Sequence, residues 1–243
     1  MIELICPSRG RPEKLKRMWR SALETAGGAL HLTVGVLQDE YQLYHVTLGD
    51  DPDVTVRIVK EWSTAYSWNK LALEALSQAH SGNLYMLASD DMIFATPLWD
   101  KAIEEHYEKL NNKVHVYALQ DSRDSLGTPH PIVTQEYIET MGYFLPPIFF
   151  HWFVDSWTAA VAKENYCFTH LKDYLLIHDK PSDQGHPDKT HTGIREAGWL
   201  ERDEFVNKTC QHLLQHEKER LGLAMHGVYP MASNGRLLKA LNR

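Results

Sequence analysis

Cysteine is scarce in this chain: Cys6, Cys167 and Cys210 are the only three among 243 residues, and none stands in C-x-x-C spacing. That argues against a disulfide framework and against a thiolate zinc site, and it fits a reducing cytoplasm. No run of about 18 apolar residues occurs, so no membrane-spanning helix is expected. The opening residues "MIELICPSRGRP" lack the basic-then-apolar layout of a secretory signal. Internal repeats, low-complexity tracts and Gly/Ser-rich linkers are missing too. Positive charge is in deficit: 25 Lys and Arg against 32 Asp and Glu give a net charge of -7. The surface as a whole therefore does not advertise a nucleic-acid partner. Local basic patches remain available in the Lys14, Lys16, Arg17, Arg20 face and in the segment "GRLLKALNR".

What is present reads as an α/β protein. Hydrophobic residues make up 43% and charged residues 23%, the ordinary balance of a globular chain. "IELIC" (2–6), "LHLTVGVL" (30–37), "VTVRIV" (54–59), "LYMLA" (84–88) and "VHVYAL" (114–119) are short apolar runs of strand length. Between them lie helical stretches. Pro12 opens the first, Leu15, Met18, Trp19 and Ala22 share one face, and Gly27-Gly28 close it. Residues 67–79 form a second. "TPLWDKAIEEHYEKL" forms a third, with Thr96 as its N-cap and Pro97 after it. Strands alternating with helices predict a mostly parallel central sheet with helices on both faces. Beyond residue 125 the pattern loosens. "FVDSWTAAVAKEN" is helical, "YLLIH" (174–178) strand-like, and 201–220 one long polar helix. The expectation is a single Rossmann-like domain over 1–243, residues 1–125 forming one half and 126–243 the other, with a C-terminal helical extension.

The stretch "NLYMLASDDMIF" drives an apolar strand into two adjacent carboxylates, Asp90 and Asp91. In an open parallel sheet, ligands bind at the carboxyl ends of strands. "PSRGRP", "QDE" and "SDDM" each follow a strand, which puts Arg9, Arg11, Asp39, Asp90 and Asp91 on one rim. Adjacent carboxylates repel, and a hard divalent cation removes that penalty while leaving room for phosphate oxygens. Arginine offers forked donors suited to phosphate or carboxylate. Asp-Asp is also a common turn, and alone the two readings stand about even; the rim position and the arginine loop favour the metal.

These residues together, "ICPSRGRP", "LQDEY" and "YMLASDDMIF", resemble the GT-A fold glycosyltransferases of the family-two-like kind. The resemblance covers roughly the first half of the chain. It implies a GT-A domain that binds a nucleotide-diphosphate sugar, a UDP sugar first among them, through a metal-bridged diphosphate. Carried over, Pro7, Ser8, Arg9 and Arg11 line the nucleotide pocket and Asp39 bonds the base or ribose. Asp91 is the metal ligand, with Asp90 beside it contacting sugar or metal. Ser89 stands where the family's D-x-D motif has its first Asp, so another ligand is needed. "AYSWNKLALEA" similarly resembles a helix that turns polar residues towards the donor. There Asn69 is the functional candidate, Lys70 is weighed against a solvated first-turn lysine, and Trp68 reads as core.

The second half supplies the remaining roles. An inverting transfer needs a base that takes the acceptor's proton. Asp155, in "FFHWFVDSWTAAVA", resembles the family's acidic motif at a helix start, although Val154 replaces the usual preceding acid; a helix cap is the bland alternative. "LLIHDKPSDQGHPDKTH" carries His178 at a strand end, then a "DKT" stretch similar to that of some phage-type enzymes. His178 becomes the further metal ligand, and imidazole favours Mn²⁺ over Mg²⁺. A zinc site from His178, His186, Asp188 and His191 competes, without standard spacing. The resemblance implies a hydroxyl acceptor, either an envelope saccharide or a hydroxylated base in modified phage DNA, in the cytoplasm of a bacterium or a phage-infected host. A sugar-phosphate nucleotidyltransferase, a non-catalytic nucleotide-sugar-binding protein and a plain interaction protein are the alternatives.

Overall fold

Strand β1 (Ile2–Pro7) is buried on both sides and apolar apart from Glu3, whose carboxylate accepts from His31 and Thr33 of the next strand. Its alternation sorts residues between two cores. Ile2, Leu4 and Cys6 enter one, with Leu15, Met18, Trp19 and Ala22 of helix α1 (Pro12–Thr25). Ile5 enters the other, against Leu71 and Ala72 of α3 (Thr64–Leu76). Full burial of a side chain such as Leu4 or Met18 is worth about 1.5–3 kcal/mol. The computed structural model describes residues 1–60, 63–78, 84–123, 129–179 and 196–226.

One sheet runs through them. Its strands are β1, β2 (Leu30–Val36), β3 (Val54–Ile58), β4 (Leu84–Leu87), β5 (Met92–Phe94), β6 (Val116–Asp121), β7 (Ile132–Thr134) and β8 (Phe168–His178). Their spatial order is β3-β2-β1-β4-β7-β6-β8-β5. The first four are parallel neighbours, and β6 and β8 are parallel; β7 opposes β4 and β6, and β5 opposes β8. The carboxyl ends of β1, β2, β4, β6 and β8 consequently share one rim. On one face lie α1, α2 (Tyr41–Leu48) and α4 (Trp99–Lys109). The other carries α3, α5 (Gln135–Met141), α6 (Val154–Glu164) and α8 (Gln211–Met225).

The β6–β8 ladder slips midway. Leu119 faces Leu171, but Gln120 faces Leu175, so Lys172, Asp173 and Tyr174 form a bulge. Past it, β8 is held on both sides, with Asp121 opposite Leu176 and Met92 opposite His178.

Two local expectations are corrected. Thr96 does not cap α4: Leu98 does, at φ 62°, without a side-chain bond. Thr96 Oγ1 instead accepts from the Leu175 amide at 2.9 Å, tying the helix approach to β8. The long polar helix is two, α7 (Trp199–Thr209) and α8, broken at Cys210. This extension docks against α5 and α6. Leu221 is fully buried, Trp157 Nε1 donates to Glu217 Oε2 at 2.6 Å, and Arg220 donates to the Met141 carbonyl.

Candidate active site

Helix α2 was not legible in the sequence, yet it brings a key group to the rim. Tyr44 is its one buried residue. The phenol lies 2.7 Å from Ser8 Oγ and accepts from the Arg11 amide at 3.0 Å. Ser8 Oγ then donates to Asp90 Oδ2 at 2.6 Å, while Arg11 Nη2 sits 3.1 Å from Asp90 Oδ1. The "PSRGRP" loop and "SDDM" therefore form one unit through Asp90, with the tyrosine bracing Ser8 and Arg11 on the loop side. Asp90 is 2% exposed. Burial raises its pKa to about 6, against the pull of Arg11 and Ser8. Burial also pushes Tyr44 up to about 12, so it stays a neutral hydrogen-bonding group.

Asp91 turns the other way, towards β8. Its Oδ1 is 3.5 Å from His178 Nε2 and accepts a bond from Ser89 Oγ. Burial works against its ionised form, but His178 and Ser89 outweigh it and hold the carboxyl well below the usual range. The Asp91–His178 approach is fixed by backbone as well. Asp179 N donates to the Asp91 carbonyl at 2.7 Å, and His178 N to Ser122 Oγ at 3.1 Å. Helix α1 adds Arg17, paired with the Asp179 carboxylate, and Lys14, bonded to its carbonyl at 3.3 Å. Two cations of the expected basic face are thus engaged at this rim.

Two further groups complete the cluster, and sequence reasoning missed both. Asp121 ends β6 with Oδ2 3.3 Å from His178 Nδ1; His130 Nε2 lies 3.8 Å from the same oxygen. One ligand atom each from Asp121, His130 and His178 fits within 4.8 Å. His130 adopts φ 55°, unusual for a non-glycine residue. No motif marks either residue; the only clue is that "VYALQD" ends in an acid at a strand terminus, as "YMLASDD" does.

The remaining candidates divide. Asp39 follows β2 and is exposed at the same rim, and Pro7 closes β1. Arg9 is exposed on the loop beside Ser8. Asn69 is corrected: it is 3% exposed, and its amide serves the backbone. Nδ2 donates to Ala65 O at 2.9 Å and Leu145 O at 2.8 Å, and Oδ1 accepts from Phe144 and Leu145 amides. That accounts for every hydrogen the amide can give and both lone pairs of its oxygen. Lys70 lies 3.8 Å from Glu74 one turn along α3, the solvated-lysine reading. Trp68 is core as expected, with Nε1 donating to Ile5 O at 3.1 Å.

Asp155 lies in the first turn of α6, half-buried, its Oδ1 accepting from Ser156 N at 2.7 Å. The loop leading to it is fastened near the β1 and β4 ends. His151 stacks on Trp68 at 6.2 Å, and Ala65 N donates to Phe150 O at 3.0 Å. Behind the loop, Asp203 of α7 is fully buried and receives the amides of Phe150, His151 and Trp152. The zinc candidates His186, Asp188 and His191, the "DKT" stretch and "GRLLKALNR" lie outside the described residues.

No protein-family model and no curated protein matches this chain. Solved structures do. S. aureus TarS in complex with UDP superposes with a TM-score of 0.54 at 11% identity, covering 72% of this chain and 60% of that one. The mannosyltransferase PcManGT from Pyrobaculum calidifontis, in complex with GDP-Man and Mn²⁺, gives 0.58 at 14% identity, covering 99% and 72%. A putative glucose-1-phosphate thymidylyltransferase from Bacillus anthracis gives 0.52 at 11%, covering 84% and 96%. The chain thus spans 60% of the length of the TarS chain. Likeness at these identities speaks for the fold: an α/β domain of the GT-A, Rossmann-like kind, built on a mixed eight-stranded sheet.

Proposed function

We propose that this protein is a metal-dependent, inverting glycosyltransferase that moves a sugar from a nucleotide-diphosphate sugar to a hydroxyl acceptor. The observation that carries the reading is the meeting of Asp91 and His178 at the rim, 3.5 Å apart and pinned by backbone bonds. That separation is close to the spacing of two ligands about 2.1 Å from one ion. A carboxylate oxygen and an imidazole nitrogen suit Mn²⁺, with Mg²⁺ as the harder alternative. Two of the similar solved structures hold a nucleotide or nucleotide sugar, and one also holds Mn²⁺.

Within this reading each residue has a task. When bound, the ion neutralises charge on the diphosphate. Arg11, held against Asp90, adds positive charge beside the diphosphate. Asp39 takes hydrogen bonds from the nucleoside, Pro7 and Ser8 shape the loop beneath it, and Arg9 flanks it. Asp155 accepts the proton of the acceptor hydroxyl as its oxygen attacks the anomeric carbon. The bond from that carbon to the diphosphate breaks, and the nucleoside diphosphate leaves with the electron pair. Asn69 serves the site by bracing residues 144 and 145, and Lys70 is not needed. A net charge of -7, with Lys14 and Arg17 engaged, favours a saccharide acceptor over a DNA base.

A sugar-phosphate nucleotidyltransferase is the second reading, because the thymidylyltransferase shares the fold over 96% of its own length. A thermal-shift panel of nucleotide sugars, with and without Mn²⁺, identifies the donor, since a ligand of the folded state raises Tm. With that donor, release of nucleoside diphosphate is expected; pyrophosphate would establish the second reading. Asp91→Ala is expected to abolish transfer, and full turnover in that variant would refute the metal assignment.

A further inference from the structure

The proposed reaction leaves one buried carboxylate of the rim unused. Asp121 is 1% exposed at the end of β6. Its Oδ1 accepts from the Arg123 amide at 2.7 Å. Its Oδ2 faces His178 Nδ1 at 3.3 Å, while the opposite ring nitrogen faces Asp91 Oδ1 at 3.5 Å. A neutral imidazole has one N–H and one bare lone pair, and only the lone pair binds a cation. Carboxylates face both ring nitrogens, so a cation seated on the Asp91 side takes the Nε2 lone pair and leaves Asp121 to accept the hydrogen on Nδ1.

We propose that Asp121 is a positioning residue: it orients the His178 ring and fixes its Nδ1–H tautomer, so that Nε2 and Asp91 Oδ1 together hold a divalent cation. This rests on the reading of Asp91 and His178 as the metal pair. The geometry is that of a carboxylate–histidine–metal relay, in which the outer acid holds the ring plane and raises ligand basicity. Three constraints converge on the ring: Met92 opposite His178 in the ladder, Ser122 Oγ on its amide, and Asp121 on Nδ1. His130, its ring centroid 5.1 Å from that of His178, closes the far side of Asp121.

The same residues permit one other arrangement, an ion seated directly among Asp121, His130 and His178. It takes the Nδ1 lone pair and leaves Nε2–H facing Asp91. We place the ion on the Asp91 side because that side adjoins Asp90, Arg11 and Ser8, where the diphosphate is proposed to lie.

The two arrangements and the parent reading separate in one set of measurements. Mn²⁺ binding is followed by calorimetry and by the electron paramagnetic resonance signal of the free ion. The His178 ring resonances are read with diamagnetic Mg²⁺ bound. The expected result is Nδ1–H with Nε2 on the ion in the wild type, and loss of Mn²⁺ binding in Asp91→Ala and His178→Ala. Asp121→Ala should bind about 10–100-fold more weakly, with the Nδ1–H of His178 exchanging faster with water. Asp121→Asn, whose amide oxygen still accepts from Nδ1–H, should recover part of the loss. It also carries the test if Asp121→Ala does not fold. Asp91→Ala and His178→Ala binding Mn²⁺ like the wild type would sink the parent reading. If those two variants lose Mn²⁺ while the Asp121 variants keep both the affinity and the slow Nδ1–H exchange, the relay alone is overturned. A His130→Ala loss as large as that of His178→Ala, with Asp91→Ala unaffected, would make Asp121 a ligand and overturn it as well.

Discussion

Replacing Asp203 with alanine should loosen the loop that delivers Asp155 and cost the fold several kcal/mol. Asp203 is fully buried, and it is the one buried residue of its helix. Its Oδ2 accepts from His151 N at 2.8 Å and Trp152 N at 3.0 Å, and its Oδ1 from Phe150 N at 2.9 Å. Arg202 Nη1 adds a contact of 2.8 Å to Oδ1. The alanine variant strands three backbone donors away from bulk water, each costing about 1–3 kcal/mol if unmet. Arg202 keeps its bond to Ile148 O at 3.0 Å and its stack on Phe150 at 3.6 Å. Most of the damage therefore falls on the loop amides. Some relief comes from water entry, which leaves a net loss of about 3–5 kcal/mol. For a chain of this size that corresponds to a Tm drop of roughly 6–20 °C. Asparagine keeps one acceptor oxygen but turns an NH₂ towards other donors, so Asp203→Asn should fall roughly midway. Thermal unfolding by circular dichroism measures both. An Asp203→Ala protein that melts within 2 °C of the wild type would refute the claim that this carboxylate holds the loop.

Other perturbations test different parts of the same frame. Tyr44→Phe removes the hydroxyl between Ser8 and Arg11 and should lower stability by about 1–2 kcal/mol, with weaker donor binding in the thermal-shift assay. Gly35→Ala puts a methyl 2.7 Å from Leu71 Cδ1 and 3.0 Å from Val59 Cγ1, so those two buried side chains must repack; a loss of about 1–3 kcal/mol in urea unfolding is expected. Burial pushes His115 down to about 4, so its contribution to stability is complete above pH ~6.5 and is lost as pH falls towards 4. The hydrogen bond that His31 donates to Glu3 raises its pKa, so its contribution is complete below pH ~6.5 and is lost as pH rises through its folded value. Urea midpoints across pH should therefore fall on both sides, and His115→Gln should flatten only the acid limb.

How much of this could be read from the chain depended on how local each signal was. β1, β2 and β4 announce themselves because both faces are buried and the runs stay apolar. β5 and β7 span three residues each, too few to show a period. α2 buries only Tyr44, so "YQLYHVTL" carries no helical stripe. The first part of β8, "FTHLKDY", reads as loop because one side is half open and the bulge breaks its alternation. At the site, Asp90 and Asp91 were visible because the anomaly lies within one strand end. The partners of His178 were not, since Asp121 and His130 reach it only through the sheet's strand order. Asn69 was misjudged for a related reason: polar residues in a first turn look available until the backbone they serve arrives from residues 144 and 145.

The slipped ladder of β8 separates length from aim. Three unpaired residues, Lys172, Asp173 and Tyr174, lie between the pairs Leu119–Leu171 and Gln120–Leu175. Paired residues on neighbouring strands point the same way, so Asp121–Leu176 and Met92–His178 set the direction of the imidazole whatever the bulge contains. Variants that lengthen or shorten only the bulge should keep the ring at the rim, whereas an insertion between Leu176 and His178 should turn it away.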